Sequence, residues 1–153
     1  MVLLSVGTQK QQFDRLFKLV ENSNKLKNTE LIAQSGYTKY ESKRIKMISF
    51  VNDEEFEKLI EKCDFLICHG GVGTIFKALN IGKKVLVIPR LEKYGEHIND
   101  HQLEICKALQ EEGFLLYLKD GEDIDDKIET LNKTDFKKYE SDERYLDILR
   151  EQI

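Results

Sequence analysis

Short apolar runs alternate with amphipathic segments along most of the chain. The apolar runs predict strands over residues 2–6, 30–36, 45–51, 65–69, 84–89 and 114–118. The amphipathic segments have the three- and four-residue spacing of a helix face, and they predict helices over residues 13–22, 53–63, 71–82 and 99–113. The acidic remainder, from Asp120 to Ile153, predicts two surface helices.

The predicted strands are too continuously apolar to expose one face to water. Strands that are buried on both faces are typical of a parallel sheet covered by helices, and the alternation of strands with helices indicates an α/β fold. The chain has 153 residues, 41% of them hydrophobic, which is the size of one domain with a real core. No repeat or linker divides it. We therefore expect one α/β domain over residues 1–153, with a parallel sheet and helices on both faces.

Charge and cysteine content narrow the classes of function. The chain carries 24 Lys and Arg against 28 Asp and Glu, and the interspersed signs leave no basic footprint for nucleic acid. No apolar run approaches the roughly 20 residues of a membrane span, and no basic leader opens the chain, so we expect a soluble, cytosolic protein. Cys63, Cys68 and Cys106 are odd in number and lack CxxC spacing, which predicts reduced, mostly buried thiols and no zinc site.

A glycine cluster follows the predicted strand 65–69. Gly70, Gly71 and Gly73 lie where this strand gives way to a helix, and ligands of open α/β sheets bind at such strand ends. Without side chains in the way, an anion reaches backbone N–H groups and the positive end of the helix dipole, so a phosphate or diphosphate is the expected ligand. The alternative is that the tight turn needs glycine whatever it binds. The motifs GxxxxGK[ST] and GxGxxG are both absent.

Three longer blocks carry a resemblance to a known family. They are "SVGTQKQQFDRL", "FVNDEEFEKLIEKCDFLICHGGVGT" and "IPRLEKYGEHINDHQLEICKAL", all within residues 5–109. In their order and spacing they resemble the C-terminal, donor-binding half of family 28 glycosyltransferases, and in particular its short, two-subunit branch. The resemblance implies the GT-B fold, in which two Rossmann-like halves face each other and the C-terminal half holds most of a UDP-sugar. This sequence would supply one such half.

The resemblance also implies roles for individual residues around the donor. The residues implied for the donor diphosphate are His69, Gly70, Gly71, Gly73 and Thr74. Those implied for the uracil are Phe50 and Val51. Those implied for the donor sugar are Asp100, His101 and Gln102. Gly7 and Thr8 form a second glycine-bearing turn between a strand and a helix, which we expect to border the same cleft.

One position departs from the family pattern. Many relatives carry a glutamate for the ribose hydroxyls on the helix after the glycine loop, whereas this chain has Lys77. A lysine ammonium cannot accept hydrogen bonds. We therefore expect ribose contact through Glu104 or through a partner, or an approach of Lys77 to phosphate instead.

Two charged features have plainer interpretations. Asp123-Ile124-Asp125 matches the DxD metal signature of a different glycosyltransferase fold, but it lies in an acidic run that opens a surface helix, so no metal is expected there. The basic residues Lys83, Lys84, Arg90 and Lys93 are predicted to form a solvated rim near the mouth of the site.

The resemblance implies the donor-binding, catalytic subunit of a two-component inverting UDP-sugar glycosyltransferase. Its expected partners are the UDP-sugar donor, a membrane-attached acceptor-binding subunit and a lipid-linked acceptor in polysaccharide synthesis at the cytoplasmic face of a membrane. No metal or other cofactor is expected. An apolar stripe of Tyr139, Tyr145, Leu146, Ile148 and Leu149 would either dock the partner or pack on the chain's own sheet. The alternative function is a non-catalytic subunit that stabilises or stimulates a transferase.

Overall fold

The structure is a computed structural model that describes residues 1–140. Within that range, strands and helices alternate. The strands are β1 (Val2–Ser5), β2 (Leu31–Gln34), β3 (Ile45–Ile48), β4 (Phe65–Cys68), β5 (Lys84–Val87) and β6 (Leu116–Tyr117). The α-helices are α1 (Asp14–Glu21), α2 (Asp53–Lys62), α3 (Val72–Ile81), α4 (His101–Glu111) and α5 (Ile124–Lys133). A short 3-10 helix, Glu92–Tyr94, lies between β5 and α4.

The six strands form one parallel sheet in the order β3-β2-β1-β4-β5-β6. At its centre, Leu3 of β1 pairs with Ile32 of β2 on one side and with Leu66 of β4 on the other. Every residue of β1 and β4 is buried. The prediction of a parallel α/β sheet covered on both faces is therefore confirmed.

Helices cover the two faces of the sheet and form two core clusters. Successive strand residues point to opposite faces, so Leu3 and Leu4 of β1 belong to different clusters. The cluster around Leu3 contains the apolar sides of α2, α3 and α4. The cluster around Leu4 contains those of α1 and α5. The helix faces that the sequence pattern predicted are the faces that pack.

Most predicted elements are confirmed, with ends that differ by a few residues. The strand predicted over 114–118 is the shortest in the structure, since β6 pairs over Leu116–Tyr117. The helix predicted over 99–113 begins at His101, and the side chain of the preceding Asp100 does not cap it. The Asn99 side chain accepts from the His101 N–H instead, at 3.0 Å.

The C-terminal prediction is tested in part. One of the two predicted surface helices is α5, and residues 134–140 are not helical. Tyr139 packs its ring against Phe76 and Phe114. The rest of the predicted apolar stripe, Tyr145, Leu146, Ile148 and Leu149, lies outside the described residues. Among residues 1–140, no helix has both the length and the apolar composition that a bilayer crossing requires.

The chain order reverses between the neighbouring strands β1 and β4. The loop after β1 leads to α1 on one face, while the loop after β4 leads to α3 on the other. Loops that part in this way leave a crevice beyond the carboxyl ends of the two strands, which is where such sheets bind ligands. Both glycine-bearing turns predicted from the sequence lie at this crevice.

Candidate functional site

A cavity of about 350 Å³ lies beyond the carboxyl ends of β1 to β4. Nine residues that were predicted to touch a UDP-sugar line it: Gly7, Thr8, Phe50, Val51, His69, Gly71, Gly73, Thr74 and Lys77. The sheet thus brings together segments that are distant along the chain. Which parts of a ligand these residues bind remains a prediction.

The amino end of α3 is open toward ligand. No side chain caps it, its first turn has no acidic residue, and its first helical hydrogen bond runs from the Ile75 N–H to the Gly71 carbonyl. By contrast, the Asn52 side chain caps α2 and three carboxylates fill the first turn of that helix. Because the N–H groups of a helix's first turn have no partner within the helix, α3 presents free donors and a positive dipole end at the cavity.

His69 lies between the two glycine-bearing turns, with 5% of its surface exposed. A Cβ added to Gly71 would stand 2.2 Å from His69 Cε1, and one added to Gly7 would stand 2.4 Å from Nε2. Gly7 also has a φ of +75°, which residues with a side chain rarely adopt. Glycine at these two positions is what allows the imidazole to sit between the loops. A Cβ added to Gly73 meets no atom within 4 Å, so that position faces open space.

Burial keeps the His69 ring neutral. Loss of hydration lowers the pKa of His69 to about 3, and the positive charges of Arg90 and His97 act in the same direction. At neutral pH the ring therefore carries one proton and no charge.

Gln102 does not line the β1–β4 cavity, so the prediction that it contacts the donor sugar gains no support from this structure and stays a prediction. Its side chain is 1% exposed and lies beneath the glycine loop. Its Oε1 accepts from the N–H groups of Gly70 at 3.0 Å and Arg90 at 3.2 Å. The Gly70 N–H is engaged by this bond to Gln102, so the prediction that it binds a diphosphate also stays a prediction.

Three further predicted residues lie away from the cavity. The Asp100 carboxylate accepts from the Glu92 N–H at 2.9 Å and lines a second cavity, near β6. His101 and Glu104 are exposed on the first turn of α4. None of the three lines the β1–β4 cavity. The sequence pattern located the start of α4 correctly, but the face on which each side chain lies depends on how the helix packs.

Arg90 belongs to the core rather than to a basic rim, so that prediction is wrong. The residue is fully buried, its guanidinium lies 4.9 Å from the Phe13 ring, and it donates to the carbonyls of Val6, Gln11 and Glu96. Burial lowers the pKa of Arg90 to about 10, opposed by the Glu96 carboxylate, so the group is still charged at neutral pH. Arg90 thereby ties the loop after β1 to the loop after β5.

Lys83 and Lys84 lie at the opposite end of β5. Lys83 donates to the Cys63 carbonyl, and Lys84 to the carbonyls of Leu131 and Asn132. These bonds hold the two ammonium groups at the amino end of the sheet. The predicted basic rim therefore does not form.

Five lining residues were missed by sequence reasoning: Ser5, Gln9, Gln34, Asp53 and Phe56. Ser5 and Gln34 are the last residues of β1 and β2, and both are buried. Ser5 Oγ donates to Gln34 Oε1, while Gln34 Nε2 donates to the carbonyls of Gly7 and Ser49. A polar residue at the end of an otherwise apolar strand is the signal that could have identified this pair.

Asp53 supplies a carboxylate at the cavity. It is the first residue of α2, and its Oδ1 lies 3.1 Å from Lys77 Nζ. Lys77 Nζ also lies 5.8 Å from the Phe56 ring. Phe50 lines the same cavity, is half-exposed, and meets the Tyr37 ring edge to face. Where many relatives have a glutamate, this chain thus has Lys77 together with the Asp53 carboxylate from α2.

The DxD sequence has a structural role. Asp123 caps α5 by accepting from the Asp125 N–H, and Asp125 accepts from the hydroxyl of Ser23 and from the N–H groups of Asn24 and Lys25. These bonds fasten α5 to the segment after α1. In the part of the chain that the structure describes, no group of three or more His, Cys, Asp or Glu side chains is placed to hold a metal ion.

Fold and site together define the Rossmann-like half of a GT-B protein. The structure of the glycotransferase of kitacinnamycin matches 99% of this chain and 37% of that protein, with a TM-score of 0.63 at 17% sequence identity. The calicheamicin glycosyltransferase CalG4 matches with the same coverage and TM-score at 13% identity. At such identities the likeness concerns the fold.

The sequence defines the family. Residues 1–148 match the glycosyltransferase family 28 C-terminal domain, and the chain belongs to this family. A human protein named UDP-N-acetylglucosamine transferase subunit ALG13 is 32% identical over 127 residues, which are 76% of this chain and 11% of that protein. The protein of the same name from Cryptococcus neoformans is 31% identical over 91 residues, which are 58% of this chain and 42% of that protein. The chain spans less than half of the length of either relative.

The neutral state of His69 predicts a pH dependence of stability. An exposed histidine has a pKa near 6.5, against about 3 for His69 in the fold, so between these values the unfolded chain binds a proton that the folded chain does not. The free energy of unfolding should therefore fall as pH drops below about 6.5, with His69 contributing ~2 kcal/mol between pH 7.5 and pH 5.

Denaturant titrations at the two pH values check this expectation. In His69→Gln, the difference in the free energy of unfolding between pH 7.5 and pH 5 should be ~2 kcal/mol smaller than in wild type. In the control His101→Gln, at the exposed start of α4, this difference should equal that of wild type. An unchanged difference in His69→Gln would show that His69 is not held neutral by the fold.

Proposed function

We propose that this chain is the donor-binding, catalytic subunit of an inverting UDP-sugar glycosyltransferase. The observation that carries the proposal is the β1–β4 cavity, where an open helix terminus, two glycine-bearing turns and a neutral histidine converge. When a sugar is transferred, negative charge develops on the departing UDP. Preorganised N–H donors stabilise such charge in the transition state, and they do so without a metal ion.

The nucleoside end of the donor fits the opposite side of the cavity. Phe50 and Val51 supply an apolar surface and strand-end backbone for the uracil. Asp53 takes the role of accepting from the ribose hydroxyls, which a lysine at position 77 cannot do. The Asp53 carboxylate is exposed and pairs with the Lys77 ammonium group at 3.1 Å.

The donor sugar is proposed from the relatives. Two similar proteins are named as UDP-N-acetylglucosamine transferase subunits, so UDP-N-acetylglucosamine is the donor to test first. Because Gln102 and Asp100 are engaged elsewhere in the fold, contacts to the sugar must come from other cavity residues or from a second protein.

A second, membrane-attached subunit would complete the active site at the cytoplasmic face of a membrane. A GT-B site lies between two halves, and this chain forms one Rossmann-like half. The large, exposed apolar side chains among residues 1–140 are Tyr37, Phe50, Tyr94 and Ile98. All four lie in the segments that follow β2, β3 or β5, at the edge that would face the other half. In the proposal, that half binds the lipid-linked acceptor and supplies the general base.

Gly73→Ala should block diphosphate binding without harming the fold. The new methyl group enters open space at the cavity, and alanine favours helix more than glycine does. We expect UDP affinity, measured by isothermal titration calorimetry, to fall about tenfold or more, with thermal stability equal to wild type or higher. Asn80→Ala, an exposed change on the same helix, is the control. Wild-type UDP affinity in Gly73→Ala would contradict the diphosphate assignment.

Asp53→Ala should remove recognition of the ribose hydroxyls. Wild type should bind UDP about tenfold or more tightly than 2′,3′-dideoxy-UDP, since a hydrogen bond to a charged group is worth ~1.5 kcal/mol or more. In Asp53→Ala the two ligands should bind alike, whatever the change in overall affinity. Glu54→Ala, a neighbouring exposed carboxylate, should keep the preference. A preference that survives in Asp53→Ala would assign ribose contact elsewhere.

Transfer should require the second subunit. The purified chain should be stabilised by UDP-N-acetylglucosamine in a thermal-shift assay, because a ligand of the native state raises its melting point. It should transfer sugar to a lipid-diphosphate acceptor only when the membrane subunit is added. Transfer by the chain alone would overturn the two-component arrangement. Transfer that needs the chain, combined with no donor binding by it, would favour the non-catalytic, stabilising role.

A further inference from the structure

The orientation of the Gln102 amide is determined by two backbone donors. The N–H groups of Gly70 and Arg90 both point at one end of this amide, at 3.0 and 3.2 Å. A backbone N–H can only donate, so the amide oxygen must occupy that end. The amide nitrogen therefore occupies the other end, where it lies 3.3 Å from His69 Nδ1.

This contact assigns the proton on the His69 ring. An amide nitrogen donates and does not accept, so Nδ1 of His69 must be the acceptor and carries no proton. A neutral imidazole has one N–H, which leaves the proton on Nε2. The ring is neutral at pH 7 because its pKa is lowered to about 3.

The protonated nitrogen lies beside the two glycine-bearing turns. His69 lines the β1–β4 cavity, and Nε2 is the atom closest to a Cβ built on Gly7, with the same ring edge facing Gly71. Gln102, on the Nδ1 side, is buried and does not line the cavity. Nδ1 thus faces the buried Gln102 amide, whereas Nε2 lies between the two glycine-bearing turns that border the cavity.

From this geometry we infer that Gln102 is a positioning residue that holds His69 as its Nε2–H tautomer, so that the ring donates a hydrogen bond to a diphosphate oxygen in the cavity. The opposite tautomer would turn a lone pair toward an anionic oxygen, and the two would repel each other. The inference rests on the proposed function for the identity of the ligand, whereas the tautomer itself is a property of the free protein.

The wild-type tautomer can be measured without any ligand. In ¹⁵N-histidine-labelled protein, long-range ¹H–¹⁵N spectra distinguish a protonated ring nitrogen from a bare one. At pH 8 we expect Nε2 of His69 to be protonated and Nδ1 to be bare; His69→Gln identifies the signals. A proton on Nδ1 would overturn the inference.

The variant Gln102→Glu tests whether Gln102 determines which ring nitrogen of His69 carries the proton. The carboxylate has nearly the same shape and can still accept from Gly70 and Arg90, but its second oxygen now requires a donor at His69 Nδ1. We expect a proton to appear on Nδ1. The matched control is Gln110→Glu on the same helix, where Oε1 accepts from the Tyr117 N–H, away from the cavity. That variant should leave the His69 signals as in wild type. If Nδ1 stays bare in a folded Gln102→Glu protein, Gln102 does not set the tautomer.

Affinity for UDP separates this inference from the proposed function. At pH 8, a Gln102→Glu protein in the Nδ1–H tautomer should bind UDP about tenfold or more weakly than Gln110→Glu, the effect of losing a hydrogen bond to a charged group. Equal affinities would overturn the role in binding. Wild type with the expected tautomer and no affinity for UDP would refute the proposed ligand while leaving the tautomer assignment intact. If Gln102→Glu does not fold, the wild-type spectrum and the variant Gln102→Met still test the inference. Methionine removes the donor to His69 Nδ1, so we expect a mixture of the two tautomers. A ring found only in the Nε2–H form in Gln102→Met would overturn the inference.

Discussion

Most buried polar groups at the carboxyl edge of the sheet find partners, and their hydrogen bonds organise the loops around the cavity. Among residues 1–140, Arg90 Nε and Gln9 Oε1 are exceptions at this edge. Arg90, Gln102 and Gln34 are each at least nine-tenths buried, where an unpaired polar atom costs several kcal/mol. Each bonds to backbone groups of loops that are distant in sequence. The loops are therefore held by side chains beneath them, which leaves their upper surfaces free of side chains and open to a ligand.

In the proposed site, an anion would meet mainly neutral donors. The start of α3 offers unpaired N–H groups, and His69 is kept neutral by burial. The nearest ammonium group, on Lys77, is paired with Asp53. Fixed dipoles of this kind need little reorganisation when charge develops on a ligand, which is why they suit a leaving diphosphate better than mobile surface cations would.

The strand order explains why the two glycine-bearing turns lie at one cavity. Because β1 and β4 are neighbours with connections to opposite faces, the Gly7 turn and the glycine loop after Cys68 face each other across one crevice. His69 occupies the gap between them, and glycine at positions 7 and 71 is the steric condition for its presence. The same arrangement places the apolar residues of the neighbouring loops at one edge, where a facing half of a GT-B enzyme would approach.

The sequence by itself determined the elements, the parallel sheet and the segments that border the cavity, because burial on both faces and helical spacing are local properties of the pattern. It also placed His69 and Gly73 at the site. Only the tertiary structure decided which way side chains on those segments face. Gln102 lies under the loop and Asp53 lies at the cavity. Arg90 lies in the core, where its guanidinium donates to the carbonyls of Val6 and Gln11, residues near the start of the chain. Hydrogen bonds between residues far apart in the sequence produce no periodic pattern of apolar and polar positions, so they could not be predicted from local spacing.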